Sequence, residues 1–400
     1  MLDRFLKRLV RKGRLTLTDH QGKVSSYGDG DGPSVSIRFN KPDVARKLAL
    51  SPSMTLGEGY MDGDIEILSG DIYGVFELLG ANLGKGRQAG PLERVAARIS
   101  RVLNVNSRST SRKNVAHHYD LSNDLYRRFL DPDMQYSCAY FARPDMTLEE
   151  AQEAKKAHIA AKLLLEPGQK VLDIGSGWGG LGCSIGKREK VEVTGVTLSV
   201  EQLALAQEKA KTQKLDGRVK FELRDYRDVE GPFDRIVSVG MFEHVGKPQF
   251  QTFFDTCARL LKDDGVMLLH SIGRSRGNGR TDPWIAKYIF PGGYIPSLSE
   301  VLPYIEAAGL IVTDVEILRM HYADTCKEWR KRFRAQWDEI AAEYDERFCR
   351  MFDFYLAGAE STFRHRKHMV FQIQLTKKID AAPITRDYIV QAESRYSGHG

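Results

Sequence analysis

Val171-Leu172-Asp173-Ile174-Gly175-Ser176-Gly177-Trp178-Gly179-Gly180 decides the fold: an apolar strand runs into a glycine-rich turn and then a helix start. Glycines at 175, 177 and 179 let the backbone turn tightly and approach a ligand at the end of a strand. Upstream, Thr147 and Glu150 form a capping box that opens a helix running toward Leu165, and Pro167-Gly168 stops it. Downstream, Val191 to Val196, Arg218 to Leu223, Asp234 to Val239 and Gly265 to Ser271 read as further strands with helical stretches between them. That alternation predicts a parallel sheet with helices on both faces. Ile311 to Leu318 and Met369 to Leu375 add edge strands, for a seven-stranded, mostly parallel α/β sheet. Lys327 to Phe363 reads as helix, marked by Trp329, Phe333, Trp337, Phe348, Phe352 and Tyr355.

A chain of 400 residues is long for one core. Leu2, Phe5, Leu6, Leu9 and Val10 stand at helical spacing among basic residues, which predicts a helix packed on its own domain in preference to an amphipathic helix lying on a membrane surface. Leu15 to Thr18 and Ser34 to Phe39 alternate like strands, separated by the turn-rich Gly28 to Pro33. Residues 1–85 thus read as a small α+β domain, available for lipid or dimer contacts. Residues 86–112 form a linker with a basic amphipathic helix from Leu92 to Leu103, and residues 113–400 form the α/β domain.

The composition, 42% hydrophobic and 28% charged, is that of an ordinary globular protein. Apolar runs are too short to cross a bilayer, and no signal-peptide pattern is present. Cys138, Cys183, Cys257, Cys326 and Cys349 are scattered, without metal or disulfide spacing, which fits a reducing cytoplasm. The net charge of +6 is gathered in clusters: Arg4 to Arg14, Arg94 to Lys113, Lys327 to Arg334, and Arg364 to Lys367. Any one of them reads as a solvated helix face; together they favour a polyanionic surface as partner.

A glycine-rich turn is shared with dinucleotide-binding enzymes. Three features favour S-adenosylmethionine here. Asp173 precedes the glycines, where it can meet an ammonium group rather than repel a pyrophosphate. The second strand ends in Val196-Thr197-Leu198-Ser199 with Gln202 close behind, hydroxyl and amide groups suited to a ribose. The third runs into Asp225-Tyr226, a carboxylate for an adenine amino group and a ring to flank the base. The fold expected is therefore a Rossmann-like, class I S-adenosylmethionine-dependent methyltransferase preceded by the small α+β domain. Ser199 reads equally well as a turn residue.

Further motifs follow in order. They are His118-Tyr119-Asp120, Met134-Gln135-Tyr136-Ser137-Cys138-Ala139-Tyr140, Gly240-Met241-Phe242-Glu243-His244-Val245-Gly246, Leu269-His270-Ser271-Ile272-Gly273, and Asp282-Pro283-Trp284 through Gly292. Over roughly residues 110 to 375 the chain resembles the cyclopropane fatty acid synthases, with the mycolic acid cyclopropane synthases as relatives. Gly57 to Asp64 resembles more loosely the extra N-terminal domain of the phospholipid enzymes, which points to a phospholipid substrate. The resemblance implies that an alkene carbon of an unsaturated acyl chain attacks the activated methyl group. A carbocation forms, and a base then removes a proton so that the ring closes. It implies bicarbonate as that base, cradled by Cys138, Glu243, His270, the backbone at Ile272, and Tyr322 in His321-Tyr322-Ala323-Asp324. It also implies cofactor contacts from Tyr136 and Ser137. Tyr119, Phe141, Trp284 and Tyr288 would line an acyl tunnel or simply fill the core.

The partners implied are membrane phospholipid and a peripheral site on the inner membrane face, with no nucleic acid and no metal. A homodimer is left open. One departure stands out: the family's C-terminal cysteine in a Tyr-Leu-x-x-Cys stretch is replaced by Ala359, so a nucleophilic cysteine there cannot apply, and Cys349 does not align with it. Ser176 stands where many relatives have a second cysteine. A methyl-branched or methylene product, or an inactive lipid-binding protein, are the alternatives.

Overall fold

The computed structural model describes residues 2–82, 122–277 and 279–396. The expected linker and its helix, the Arg94 to Lys113 cluster and Tyr119 lie outside the described residues. The chain divides into two compact units. Among the described residues, one comprises 2–82, 281–291 and 323–367, and the other 122–277, 279–280, 292–322 and 368–396. Residues 281–291 and 323–367, expected with the α/β domain, therefore group with the N-terminal residues.

The first unit holds a four-stranded sheet of β1 (Arg14–Thr18), β2 (Val24–Tyr27), β3 (Ser34–Phe39) and β4 (Ile65–Ser69), in the order β2-β1-β3-β4. β2 and β4 are absent from the sequence reading, since Val24-Ser25-Ser26-Tyr27 is too polar and short to alternate visibly. Alternation in β1 and β3 buries Leu15, Leu17, Val35, Ile37 and Phe39 on one side. Helix Leu2–Leu9 buries Leu6 on the same unit and leaves Arg4, Lys7 and Arg8 exposed.

The expected long helix over Lys327 to Phe363 is instead three: His321–Ala335, Trp337–Glu343 and Glu346–His365. The break before the last is fixed by Asp345, whose side chain accepts from Phe348 N–H at 2.6 Å as an N-cap. Small residues let the helices of this unit lie close together. A Cβ at Gly80 would meet the His365 ring at 2.5 Å, and one at Gly57 would meet the Trp284 ring at 2.4 Å. The same unit absorbs much of the expected basic surface. Arg330 pairs with Asp71 and Glu360, Arg334 pairs with Asp71, and Arg364 pairs with Asp324 and Glu360.

The second unit is the seven-stranded sheet: β5 (Lys170–Ile174), β6 (Glu192–Thr197), β7 (Val219–Leu223), β8 (Phe233–Val239), β9 (Leu261–Arg274), β10 (Ile311–Leu318) and β11 (His368–Thr376). Its order is β10-β11-β9-β8-β5-β6-β7, with β11 antiparallel to both neighbours and the rest parallel. This is the expected mostly parallel sheet. β9 runs longer than the Gly265–Ser271 reading.

Both faces are covered because successive strand residues point opposite ways. Leu172, Ile174 and Ile236 pack with Phe250, Phe253 and Phe254 of helix Phe250–Leu260 and with Val301 and Ile305. Val171, Val237 and Leu268 face Ile159, Ile185 and Ala206 on the other side. Helix Leu148–Lys162 opens with the expected capping box, Thr147 receiving Glu150 N–H while Glu150 receives Thr147 N–H at 2.8 Å. Its buried face is polar as well as apolar: Lys155, His158 and Lys162, at spacings of three and four, are all buried.

Candidate active site

β5 lies between β8 and β6, so strand order reverses at its carboxyl end, where open α/β sheets form their binding crevice. A cavity stands there. Tyr136, Ser137, Asp173, Gly175, Gly177, Thr197, Gln202, Asp225 and Tyr226 all line it, so the residues proposed for the cofactor converge from four separate stretches of chain. Gly175 has φ +82°, and a Cβ there would meet Met241 Cβ at 2.7 Å. Gly177 has φ +53° with nothing within 4 Å of a Cβ, so a side chain would enter open space.

The polar groups are already oriented. Thr197 Oγ1 donates to Gln202 Oε1 at 3.1 Å, which leaves the amide NH2 as the donor end of Gln202. Asp225 is clasped by Arg227 through Nε at 2.8 Å and Nη2 at 2.6 Å. Ser199 caps helix Val200–Thr212, accepting Gln202 N–H at 3.2 Å, and is not among the cavity residues.

Asp173 departs from this saturation, as does the Ser176 hydroxyl, which is also buried without a partner. Asp173 is 1% exposed, and its Oδ2 is buried without a hydrogen-bond partner. Burial pushes its carboxyl up to about 7, against the nearby Lys155 charge. A buried acceptor without a donor is costly, and an ammonium group would satisfy it. The cavity therefore fits a ligand bearing one.

Lys155, which the sequence reading passed over, organises the facing wall. Its side chain is fully buried and donates to Gln135 Oε1 at 2.5 Å and Ser137 Oγ at 2.9 Å. Burial lowers it to about 8, with Asp131 and Asp133 opposing that shift. Gln152 Nε2 reaches the carbonyls of Gln135 and Ser137 at 3.1 and 3.0 Å, so two helix side chains hold the Gln135–Ser137 backbone. Cys138, 0% exposed, follows directly, its Sγ 3.3 Å from Ala139 O. The signal for Lys155 is its position: a lysine in register with Leu148, Ala151 and His158, on the face a helix normally buries.

The second group forms at the ends of β8 and β9. Glu243 sits on the 3₁₀ turn Phe242–His244, and its Oε1 accepts the backbone N–H of Ile272 at 2.6 Å. The N–H expected to help cradle an anion is therefore engaged by the glutamate itself. Glu243 Oε2 is buried without a hydrogen-bond partner. Burial raises the carboxyl to about 7, with the Ile272 N–H opposing. Such a group exchanges a proton readily near neutral pH and can present either an O–H or a lone pair. That fits a small oxyanion acid such as bicarbonate.

His270 stands opposite Gln372 on the paired strands β9 and β11, with Gln372 Nε2 3.1 Å from its Nδ1. Burial drives its ring well below the ordinary histidine value, and Lys155, Lys162 and His158 push the same way. Tyr322 is half-buried beside His321, whose Nδ1 accepts Phe141 N–H at 3.0 Å.

In the first unit, Trp284 is fully buried with its ring 5.3 Å from that of Tyr288, and Tyr288 Oη donates to Glu58 at 2.8 Å. Ala359 lies in helix Glu346–His365, and Cys349 is a buried thiol raised to about 12 by burial.

Comparison with known proteins agrees with this geometry. The family model described as mycolic acid cyclopropane synthetase matches residues 106–373, and a model described as a domain of unknown function matches residues 1–84. The cyclopropane-fatty-acyl-phospholipid synthase of Escherichia coli (strain K12) is 41% identical over 352 residues, 88% of this chain and 90% of that protein. The tuberculostearic acid methyltransferase UfaA1 of Mycobacterium tuberculosis is 35% identical, covering 94% of this chain and 91% of its own length. The crystal structure of mycolic acid cyclopropane synthase CmaA1, complexed with SAH and CTAB, superposes with a TM-score of 0.63 at 38% identity, over 66% of this chain and 97% of that one. The chain belongs to the mycolic acid cyclopropane synthetase family and is, by family and fold, an S-adenosylmethionine-dependent methyltransferase.

Proposed function

We propose that this protein is a cyclopropane-fatty-acyl-phospholipid synthase, adding a methylene bridge across the cis double bond of an unsaturated phospholipid acyl chain. The observation that carries this reading is Glu243: a buried carboxyl near neutral pKa with one oxygen left unpartnered, beside a cofactor-type cavity. A plain methyl transfer to a nucleophile that carries its own lone pair has little need of such a group. Bound together, S-adenosylmethionine supplies the activated methyl group and bicarbonate the base that takes the proton from the carbocation.

The chain's own residues bind and orient. Asp173 accepts the cofactor ammonium, Thr197 and Gln202 face the ribose, and Asp225 with the Tyr226 ring holds the adenine. Tyr136, Ser137 and the turn at Gly175 and Gly177 close the cavity around them. Cys138, Glu243, His270 and Tyr322 hold the anion, and the Ile272 N–H holds Glu243 in place for it. Among the described residues no helix is long and apolar enough to cross a membrane. The exposed Arg4, Lys7, Arg8, Arg11 and Lys12 support contact with an anionic lipid surface on the cytoplasmic side.

A second reading ends the same carbocation differently: a 1,2-hydride shift moves the charge to the methylated carbon, and loss of a proton from the transferred methyl gives a methylene or, after later reduction, a methyl-branched chain. The UfaA1 relative, similar over 94% of this chain, favours keeping it in view. Expressing the chain in a host that lacks cyclopropane lipids, then profiling its fatty acids by mass spectrometry, decides. Gain of one CH2 per unsaturated chain, with no alkene left to ozonolysis, is expected. Gain of CH2 with a cleavable alkene supports the second reading, and an unchanged profile from folded protein overturns both.

A further inference from the structure

His158 and Lys162, two of the three buried polar side chains on the inner face of helix Leu148–Lys162, connect to His270 through hydrogen bonds whose donors can be assigned. Lys162, 0% exposed, donates to Gln372 Oε1 at 2.9 Å, pairs with Glu316, and lies 3.7 Å from Asp314. Burial alone would raise Glu316, but His158 and Lys162 outweigh it and hold its carboxyl well below the ordinary range. Glu316 is therefore ionised and Lys162 is its ammonium partner. An ammonium has donors only, so the oxygen of Gln372 must face Lys162 and its NH2 must face His270. The NH2 lies 3.1 Å from Nδ1 and can only donate, so Nδ1 accepts. Because Gln372 and His270 are direct partners in the β11–β9 register, the backbone sets this distance.

We propose that Lys162 and Gln372 are positioning residues that lock His270 as the tautomer carrying its single proton on Nε2. The ring is kept neutral by burial and by Lys155, His158 and Lys162 on the facing helix; from the other side Glu243 reaches the same strand two residues on, at Ile272. The lone pair that could act as a base is occupied by Gln372. On the function proposed above, on which this part rests, His270 serves as a hydrogen-bond donor to the anion and not as the proton acceptor. Second-layer partners of this kind commonly fix which histidine nitrogen is available.

The test uses the full chain labelled with ¹⁵N-histidine, with His270 assigned by difference from His270→Asn. Wild type is expected to show Nε2–H. Gln372→Glu offers Nδ1 an acceptor only, so it should move the proton to Nδ1 or charge the ring, and turnover should fall about 100-fold or more with cofactor affinity within about threefold. Gln372→Met, which removes the lock without reversing it, should give a mixture of tautomers and a smaller loss, and it guards against a variant that fails to fold. A wild-type Nδ1–H signal, or a Gln372→Glu protein with the wild-type tautomer, overturns the lock. A reversed tautomer with unchanged turnover, while Glu243→Gln is inactive, overturns its catalytic use and leaves the proposed function standing. A folded wild type that forms no cyclopropane product overturns the proposed function itself, whichever tautomer His270 shows.

Discussion

The cavity at the end of β5 and the Glu243–His270 group stand at neighbouring strand ends of one sheet, yet they are assembled differently. The cavity is built from short contiguous runs in which backbone shape does much of the work: Gly175 and Gly177 at positive φ, a strand-end hydroxyl, a strand-end carboxylate. Its polar groups are mostly satisfied before any ligand arrives. The second group draws single side chains from distant elements, Glu243 after β8, His270 on β9, Gln372 on β11, Lys155 and Lys162 on a helix, and it retains an unsatisfied carboxylate oxygen. In the cavity Asp173 keeps such an oxygen too, but an ammonium-bearing ligand would complete it, whereas a site for proton movement must keep a group whose state can change. The two should therefore respond differently to substitution, one through affinity and the other through rate.

The largest effect is expected at Glu243. A positioned acid–base group contributes about 10²–10⁴-fold, so Glu243→Gln should lose turnover in that range. Cofactor affinity should change little, because an interaction made mainly in the transition state leaves ground-state binding intact. Product formation on unsaturated phospholipid vesicles, with and without added bicarbonate, checks this alongside calorimetry. An active Glu243→Gln enzyme, with a wild type indifferent to bicarbonate, would remove the named base.

Gly177→Val should show the opposite split. A β-branched residue in the left-handed region costs about 1–2 kcal/mol of stability, and its methyls enter the open space beside the glycine. A loss of cofactor affinity of about tenfold or more is expected, equivalent to about 1.4 kcal/mol. At saturating cofactor, turnover should largely recover. A folded Gly177→Val protein with wild-type affinity would detach the glycine turn from the cofactor.

This contrast also explains what could be read from the sequence. Strand–turn–helix order, the capping box at Thr147 and the nine cavity residues were legible because each depends on near neighbours in the chain. All seven strands of the large sheet were legible too, the central parallel ones as apolar runs buried on both faces and β10 and β11 as β-branched, alternating segments at one end of the sheet. β2 was not, being four residues of which two are serine. The split of the C-terminal helix at Asp345 was missed because one N-cap residue in a helix-favouring stretch is a weak signal. The partners of His270 were missed for a different reason. Nothing local in Phe371-Gln372-Ile373 marks an amide that faces a histidine 102 residues earlier. The basic clusters misled in part, because sequence shows the charge of Arg330 and Arg334 but not Asp71 and Glu360 beside them.

Asp173 gives the sharpest link between the two regions, since Lys155 bonds Ser137 on the cavity wall and also acts on Asp173 and His270. Burial holds the Asp173 carboxyl up near 7, well above the ordinary carboxylate range. For the fold alone, a raised carboxyl contributes stability below the ordinary carboxylate pKa and loses it as pH rises through 7. Binding runs the other way. An ammonium beside Oδ2 favours the ionised form, so the cofactor must expel a proton when it binds below pH 7. Affinity should therefore strengthen by up to about tenfold per unit as pH rises from about 5.5 to 7 and level off above that. Calorimetry in two buffers of different ionisation heat reads the released proton directly. Asp173→Asn should bind more weakly and with a flatter pH dependence over the same range, because the amide carries no proton to release. A wild-type affinity that is flat from pH 5.5 to 7.5, with no proton released, would place the cofactor ammonium elsewhere in the cavity.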